Sequence, residues 1–343
     1  MSLTELSYYF RKFLPYIILF CLIFLIFFYS IKLTLIYLEA NKTVTTYTNL
    51  IFGKISPPEI PGSSSSAGLK FILDTIEGTP ITATDTAKVF FLPENNPRFG
   101  YIEKIYLMAK GFGFDTEIVK HQLTGKIATF SDQEKTLTID ISNFNFKFDR
   151  KVDNSLFTSP DISIPMKTVI ENKAIDFLKK IGRYPEELGK GTTKLIYMKY
   201  NPINQNFVNV EKNFQAQLVE IDFYRPNIDD FDIVTPKFSN SQNYVVMIFQ
   251  GTDFQIIKSQ IAFFEKSEEQ IGTYWIKTGE EAWSELNNGM GFVVSGTEGE
   301  KNISIKKMKF RYFDPDIYQN YLQPVYVFTD DNNFAAYVPA VKN

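Results

Sequence analysis

Eighteen consecutive residues, Phe13 to Ser30, carry no charge: FLPYIILFCLIFLIFFYS. About 20 apolar residues, each rising 1.5 Å, cross a hydrocarbon core of about 30 Å. Lys32 interrupts the run near its end, where a lysine can reach the interface. Leu33, Leu35, Ile36 and Leu38 resume it. The pattern predicts a polar segment over 1–12 and one transmembrane helix over 13–38. A cleaved signal peptide would carry a shorter apolar region and a small-x-small site. Here Leu38-Glu39-Ala40 has Leu where a small residue is needed. Arg11 and Lys12 before the helix favour a cytoplasmic N-terminus and a bulk outside the cytoplasm.

Beyond the helix the pattern changes. Residues 39–68 form a juxtamembrane segment and then a linker, GKISPPEIPGSSSSAG over 53–68. Proline-rich chain is extended and serine-rich chain flexible, so this reads as a tether. Residues 69–76 read as a strand. Thr82-Ala-Thr-Asp85 reads as a capping box opening a helix over 83–92. A second helix over 99–110 places Ile102, Ile105, Tyr106 and Ala109 on one face, with Gly111 as its left-handed cap. TLTIDISNFNFKF at 136–148 alternates with period two. The apolar parity switches at Ser142-Asn143, which a β-bulge would absorb.

A helix over 166–181 buries Ile170, Ala174, Phe177, Leu178 and Ile181. Strands follow at 193–200, 214–224, 243–250 and 256–265. Thr278 and Glu281 form a second capping box, opening a helix over 279–287 with Ala282, Trp283 and Leu286 inward. Strands at 291–295, 303–313, 324–329 and 334–339 complete the pattern. Three helices end in similar glycine-containing stretches, AKGFGF, KKIGRY and NNGMGF, each leading into strands. This predicts an α+β fold of repeated helix-plus-antiparallel-sheet modules over 69–165, 166–272 and 273–343.

Composition narrows the chemistry. The net charge is −3, and no basic block supplies a footprint for nucleic acid. The 33 Phe and 19 Tyr furnish an aromatic core for a β-rich fold. Cys21, the one cysteine, lies in the apolar run, which suits an extracytoplasmic domain without disulfides. His121 is the one histidine and reads as an ordinary surface residue. Nucleophilic triads and zinc sites therefore lack their ligands. Gly189-Lys190-Gly191-Thr192-Thr193 lacks phosphate-loop spacing and precedes a strand, so it reads as a turn. Carboxylates at Asp229, Asp230 and Asp232, at Asp314 and Asp316, and at Asp330 and Asp331 lack calcium-loop spacing and read as solvated loops. Trp275 and Trp283 both read as core. No catalytic, cofactor or metal residue emerges.

The helix beginning Thr278-Gly-Glu-Glu-Ala-Trp283 and the hairpin of YLQPVYVF (321–328) and FAAYVPAV (334–341) resemble the PepSY-like module. In particular they resemble extracytoplasmic regulators of the YycH/YycI type. That resemblance covers about a fifth of the chain. It implies one membrane helix, α+β modules outside the cell, and regulation of a membrane sensor by protein contact. A PepSY unit commonly closes near an Asp-Ala-x-x-Gly-like turn, where this chain has Val338-Pro-Ala-Val-Lys-Asn.

The expectation is a membrane-anchored, extracytoplasmic, non-enzymatic protein of a bacterial envelope. Its partners are the lipid bilayer and another envelope or membrane protein. It would act as a regulator or assembly factor. An adhesin or carbohydrate-binding module, marked by a stripe of exposed aromatics, is one alternative. A hydrolase with two carboxylates facing across a cleft is another. Candidate contacts are Val325, Val327, Tyr337 and Val338, because Pro324 and Pro339 bracket that hairpin as they would an edge open to strand addition. Within a PepSY-like unit, Trp283 would pack near Val325 and Val327.

Overall fold

The computed structural model describes residues 3–40, 47–97, 99–152, 154–157, 161–211, 213–251, 253–296 and 301–342. The chain divides into two units, Met1–Tyr47 and Thr48–Asn343. The first contains the α-helix Leu3–Ala40. Its stretch Phe13–Leu35, 23 residues, is long and apolar enough to cross a membrane. Side chains described along that stretch are exposed, as a lipid-facing surface requires.

The second unit is a mixed α+β body rich in antiparallel sheet. Nine strands make the larger sheet. In spatial order they are Gln122–Thr124, Ile127–Ser131, Lys135–Asp140, Phe146–Arg150, Asp253–Ile261, Tyr244–Gln250, Leu218–Tyr224, Thr192–Asn201 and Asn206–Asn209. Helices Tyr101–Gly111 and Lys167–Lys180 supply Ile105, Met108, Ile170 and Phe177 to the core on one face. Phe130, Leu137, Phe148, Ile221 and Met247 of the strands meet them. Part of the opposite face is covered by Phe157, over Tyr200, Leu218 and Ile248.

The second sheet runs Ser64–Ser65, Phe292–Ser295, Ala335–Pro339, Tyr321–Thr329, Lys307–Phe313 and Ile233–Val234. Thr86–Phe91 joins it at Tyr321 and Leu322 and carries Ile271–Trp275 on its other side. A parallel pair, Lys70–Leu73 with Asn302–Ile305, stands beside it. Helix Gly279–Asn287 begins with the expected reciprocal Thr278–Glu281 box and buries Ala282 and Leu286.

Several expectations change. Residues 86–91 are a strand, because TAKVFF alternates and finds ladder partners on both sides. Thr82 caps a distant helix instead: its hydroxyl accepts the Gly279 amide at 2.9 Å. The parity switch in 136–148 is a hairpin turn, with Leu137 opposite Phe148 and Ile139 opposite Phe146. Asp140 accepts the Ser142 amide and Asn143 the Asn145 amide, and these local bonds close the turn. Gly111 stays helical while Gly113 takes the left-handed φ of 79°.

The linker is docked onto the body rather than free. Ile55 and Ile60 are buried, Ser64–Ser65 pairs with Phe292 and Val293, and Ser66 accepts the Gly291 amide. Both expected module boundaries fall within continuous structure. Strands on either side of 165/166 share the nine-stranded sheet, and 272/273 lies inside strand Ile271–Trp275. Long-range pairing, which local periodicity does not encode, joins them.

Candidate functional site

The hairpin chosen from sequence lies in the middle of its sheet. Lys307–Phe313 flanks it on one side and Phe292–Ser295 on the other. Val325, Val327, Tyr337 and Val338 are at most 2% exposed. Burial and pairing remove all four from any surface. Pro324 sits inside strand Tyr321–Thr329, not at a border. Its carbonyl accepts the Ala340 amide, while Ala340's own carbonyl accepts the Lys277 amide at 2.8 Å. The donor that proline lacks is thus supplied from the helix lead-in. Trp283 is half-buried against Phe71 and Phe328. Val325 and Val327 pack on the sheet's other face with Ile60 and Tyr337.

The other candidates scatter. His121 is half-buried against the Tyr106 hydroxyl, 3.3 Å away. Gly191 is a true turn: a Cβ there would stand 1.8 Å from the Tyr224 carbonyl. Asp229 pairs with Lys88, and Asp232 with Arg311. Trp275 is 46% exposed rather than core, because it ends its strand. Asp314 is not solvated but fully enclosed.

Asp314 belongs to a buried cluster joining the two sheets. Arg225, directly after strand Leu218–Tyr224, places Nε and Nη2 on Asp314 Oδ1 at 3.1 and 3.0 Å. Its Nη1 donates to Glu187 at 2.7 Å, and its guanidinium lies 4.1 Å from the Phe263 ring centre. Burial works against the Arg225 charge, but the Asp314 and Glu187 carboxylates outweigh it. Each donor has a carboxylate or carbonyl partner, as a buried cation requires. This is a structural clamp.

Among the described residues, an open strand edge lies elsewhere. Strand Thr192–Asn201 pairs along 192–198 with Leu218–Tyr224. Its outer neighbour, Asn206–Asn209, begins only at Met198. The Tyr197 carbonyl accepts the Val210 amide on that outer side, at 2.8 Å. Alternation then turns the backbone groups of Leu195 and Thr193 the same way. Beside this edge is a cavity of about 660 Å³. Its walls are 194–197 and 209–211 on the strand side, Phe238–Asn240 of a loop, Ser295 of the second sheet and Asn333 of the turn between Tyr321–Thr329 and Ala335–Pro339.

Acidic residues stand next to that edge. In LVEIDFY Val219, Ile221 and Phe223 face the larger core, and Glu220, Asp222 and Tyr224 share the other face with Leu218. Asp222 lies opposite Lys194 on one side and Tyr244 on the other. It is fully buried, and its Oδ2 accepts the Ser241 amide at 2.9 Å and the Tyr224 hydroxyl at 3.1 Å. Lys194 Nζ donates to the Ser239 carbonyl at 2.7 Å. Burial first, then the Asp222 charge, raises the Glu220 carboxyl from 4.5 to about 7. Burial also raises Asp222, against the Ser241 amide and Tyr224 hydroxyl. The sequence reading missed this pair. Its signal was two acids at i and i+2 in an otherwise apolar strand.

No family model and no curated protein matches this chain. Among solved structures, an uncharacterized protein from Eubacterium rectale is similar at TM-score 0.32 and 11% identity, over 81% of this chain and 90% of its own. YycH from Bacillus subtilis is similar at TM-score 0.32 and 11% identity, over 74% of this chain and 53% of its own, about half its length. The second is of the type that the C-terminal residues resemble. Likeness at this level is loose, and no role is taken from either neighbour.

Proposed function

We propose that this is a membrane-anchored, non-enzymatic binding protein with its body outside the cytoplasm. It captures an extended segment of another envelope protein by strand addition at Thr193–Tyr197. The observation that carries this is the open edge beside a groove of about 660 Å³. Unpaired backbone groups give such capture its affinity, and the flanking cavity accepts alternate side chains. The helix Leu3–Ala40 supplies the anchor.

The hydrolase alternative asks for carboxyls facing across a cleft, about 5 Å or more apart. Glu220 and Asp222 instead touch each other on one strand face, and Asp222 is sealed. The carbohydrate alternative asks for an aromatic stripe. Phe99, Phe214 and Trp275, exposed rings of this unit, come from three separate stretches.

A photo-crosslinking residue at Lys194 in native membranes tests the reading. It should trap one protein partner, while the same residue at Gln122, on the opposite border of the sheet, should not. Equal trapping at both positions, or turnover of glycan or peptidoglycan by the purified protein, would overturn it.

A further inference from the structure

We infer that Glu220 and Asp222 share a single proton, and that losing it opens the 235–243 loop walling the groove. The inference rests on the strand-addition reading only for its consequence, control of access to that edge.

The geometry begins with Asp222. Its residue is 0% exposed, and its Oδ2 already has two donors. Its Oδ1 has none while both carboxyls are ionised. Glu220, two residues away on the same face, is in hydrogen-bond contact with it. A proton on Glu220 supplies the missing donor. Without that proton, two like charges touch, one of them on the fully buried Asp222, which is costly.

The cations nearby do not neutralise the pair by contact. Lys194, on the adjacent strand, is bonded to Ser239. Lys258, from strand Asp253–Ile261, pairs with Asp149 of Phe146–Arg150 at 3.8 Å. Lys237, in the loop, acts on Glu220 only through its charge. Tyr224 and Tyr244 are held neutral by burial. Among the described residues no ion pair reaches either carboxyl.

The lid over Asp222 is the loop itself. The Ser241 amide bonds Asp222, the Ser241 hydroxyl bonds the Phe223 carbonyl, and the Ser239 carbonyl takes Lys194. Phe238–Asn240 of the same loop lines the groove. A doubly charged pair gains most by admitting water, and the loop is what excludes it. The sign follows from the raised Glu220 value. Between pH 4.5 and about 7 the folded protein holds a proton that the unfolded chain releases. That stabilisation is fully present below 4.5 and is lost as pH rises through about 7.

The test compares the full-length protein with Glu220→Gln, whose amide donates to Asp222 at every pH. Amide exchange over 235–243 is measured for both proteins at pH 6 and at pH 8.5. Comparison at fixed pH cancels the chemistry of exchange. If opening returns Glu220 even one unit toward its ordinary value, the wild-type loop exchanges about tenfold faster than the variant at pH 8.5. At pH 6 the same change separates the two by about twofold or less. The carboxylic-acid infrared band of the wild type should also be present at pH 6 and absent at pH 8.5. Equal exchange at both pH values overturns the gate, and a missing band at pH 6 overturns the shared proton even if the variant misfolds. Neither readout needs a partner. A working gate without capture at Lys194 therefore sinks the strand-addition reading alone.

Discussion

The hairpin over 321–339 and the strand Thr192–Asn201 are similar as sequence: both are rich in aromatic and β-branched residues. The hairpin lies deep in its sheet, with strands on both sides, while the first half of Thr192–Asn201 forms a border. What separates them is the supply of partners. The hairpin meets Phe292–Ser295 and Lys307–Phe313 along its length, whereas Asn206–Asn209 is too short to cover its neighbour. Position near a chain end and bracketing prolines say little about position in a sheet. Pro324 shows why, since an amide from another element can stand in for the donor it lacks.

The harshest test of that contrast is Val338→Pro. The Ala340 amide bonds Pro324, so by alternation the Val338 amide faces the same strand. Proline there removes a ladder bond at a cost of about 3 kcal/mol or more, and lost packing adds about 1–2 kcal/mol. Thermal or denaturant unfolding should show the folded state gone or severely weakened. A folded protein of near wild-type midpoint would mean that the hairpin is a border after all.

Arg225→Ala asks whether the two sheets holding these regions act together. It strands Asp314 and Glu187 without their cation and should cost about 3–5 kcal/mol. One cooperative transition, shifted as a whole, is expected. Two separated transitions would show that the sheets unfold independently and that Arg225 does not clamp them.

Local rules carried much of the fold. The apolar stripe of Lys167–Lys180 and the capping box of Gly279–Asn287 are short-range features, and the structure keeps both. The apolar run of Phe13–Ser30 became a helix for the same reason. Failures arose where a residue's partner is far away in sequence. Thr82 serves Gly279, 197 residues on, and Arg225 reaches Asp314, 89 residues on. Ser64–Ser65 becomes a strand because Phe292 and Val293 receive it. The candidate site was hidden likewise: an open edge is defined by a neighbour that stops short, which no residue of the edge records.

Trp283→Ala is the intermediate test. A fully buried tryptophan loses about 3–5 kcal/mol on truncation. Trp283 keeps part of its surface in solvent and touches Phe71 and Phe328, so about 2 kcal/mol is expected. A loss under about 1 kcal/mol would place the ring outside the core and add it to the aromatic surface of the carbohydrate reading.

The smallest expected change in stability is the most informative about the edge. In Leu195→Pro the missing amide is one that faces outward, so no ladder bond is lost. Lys194 is already extended, which is the conformation proline demands of its predecessor. Leu195 gives up part of its packing against the larger core, so about 1 kcal/mol is expected. Ile196→Pro, one residue along, removes an amide that pairs with Glu220 and should cost about 3 kcal/mol or more. Matched melting curves for the two variants measure the parity of the strand directly. Trapping by the photo-crosslinker at Lys194 should vanish in folded Leu195→Pro, because the partner loses a backbone donor where it docks. Undiminished trapping in that variant would show that capture uses side chains around the groove and not the strand edge.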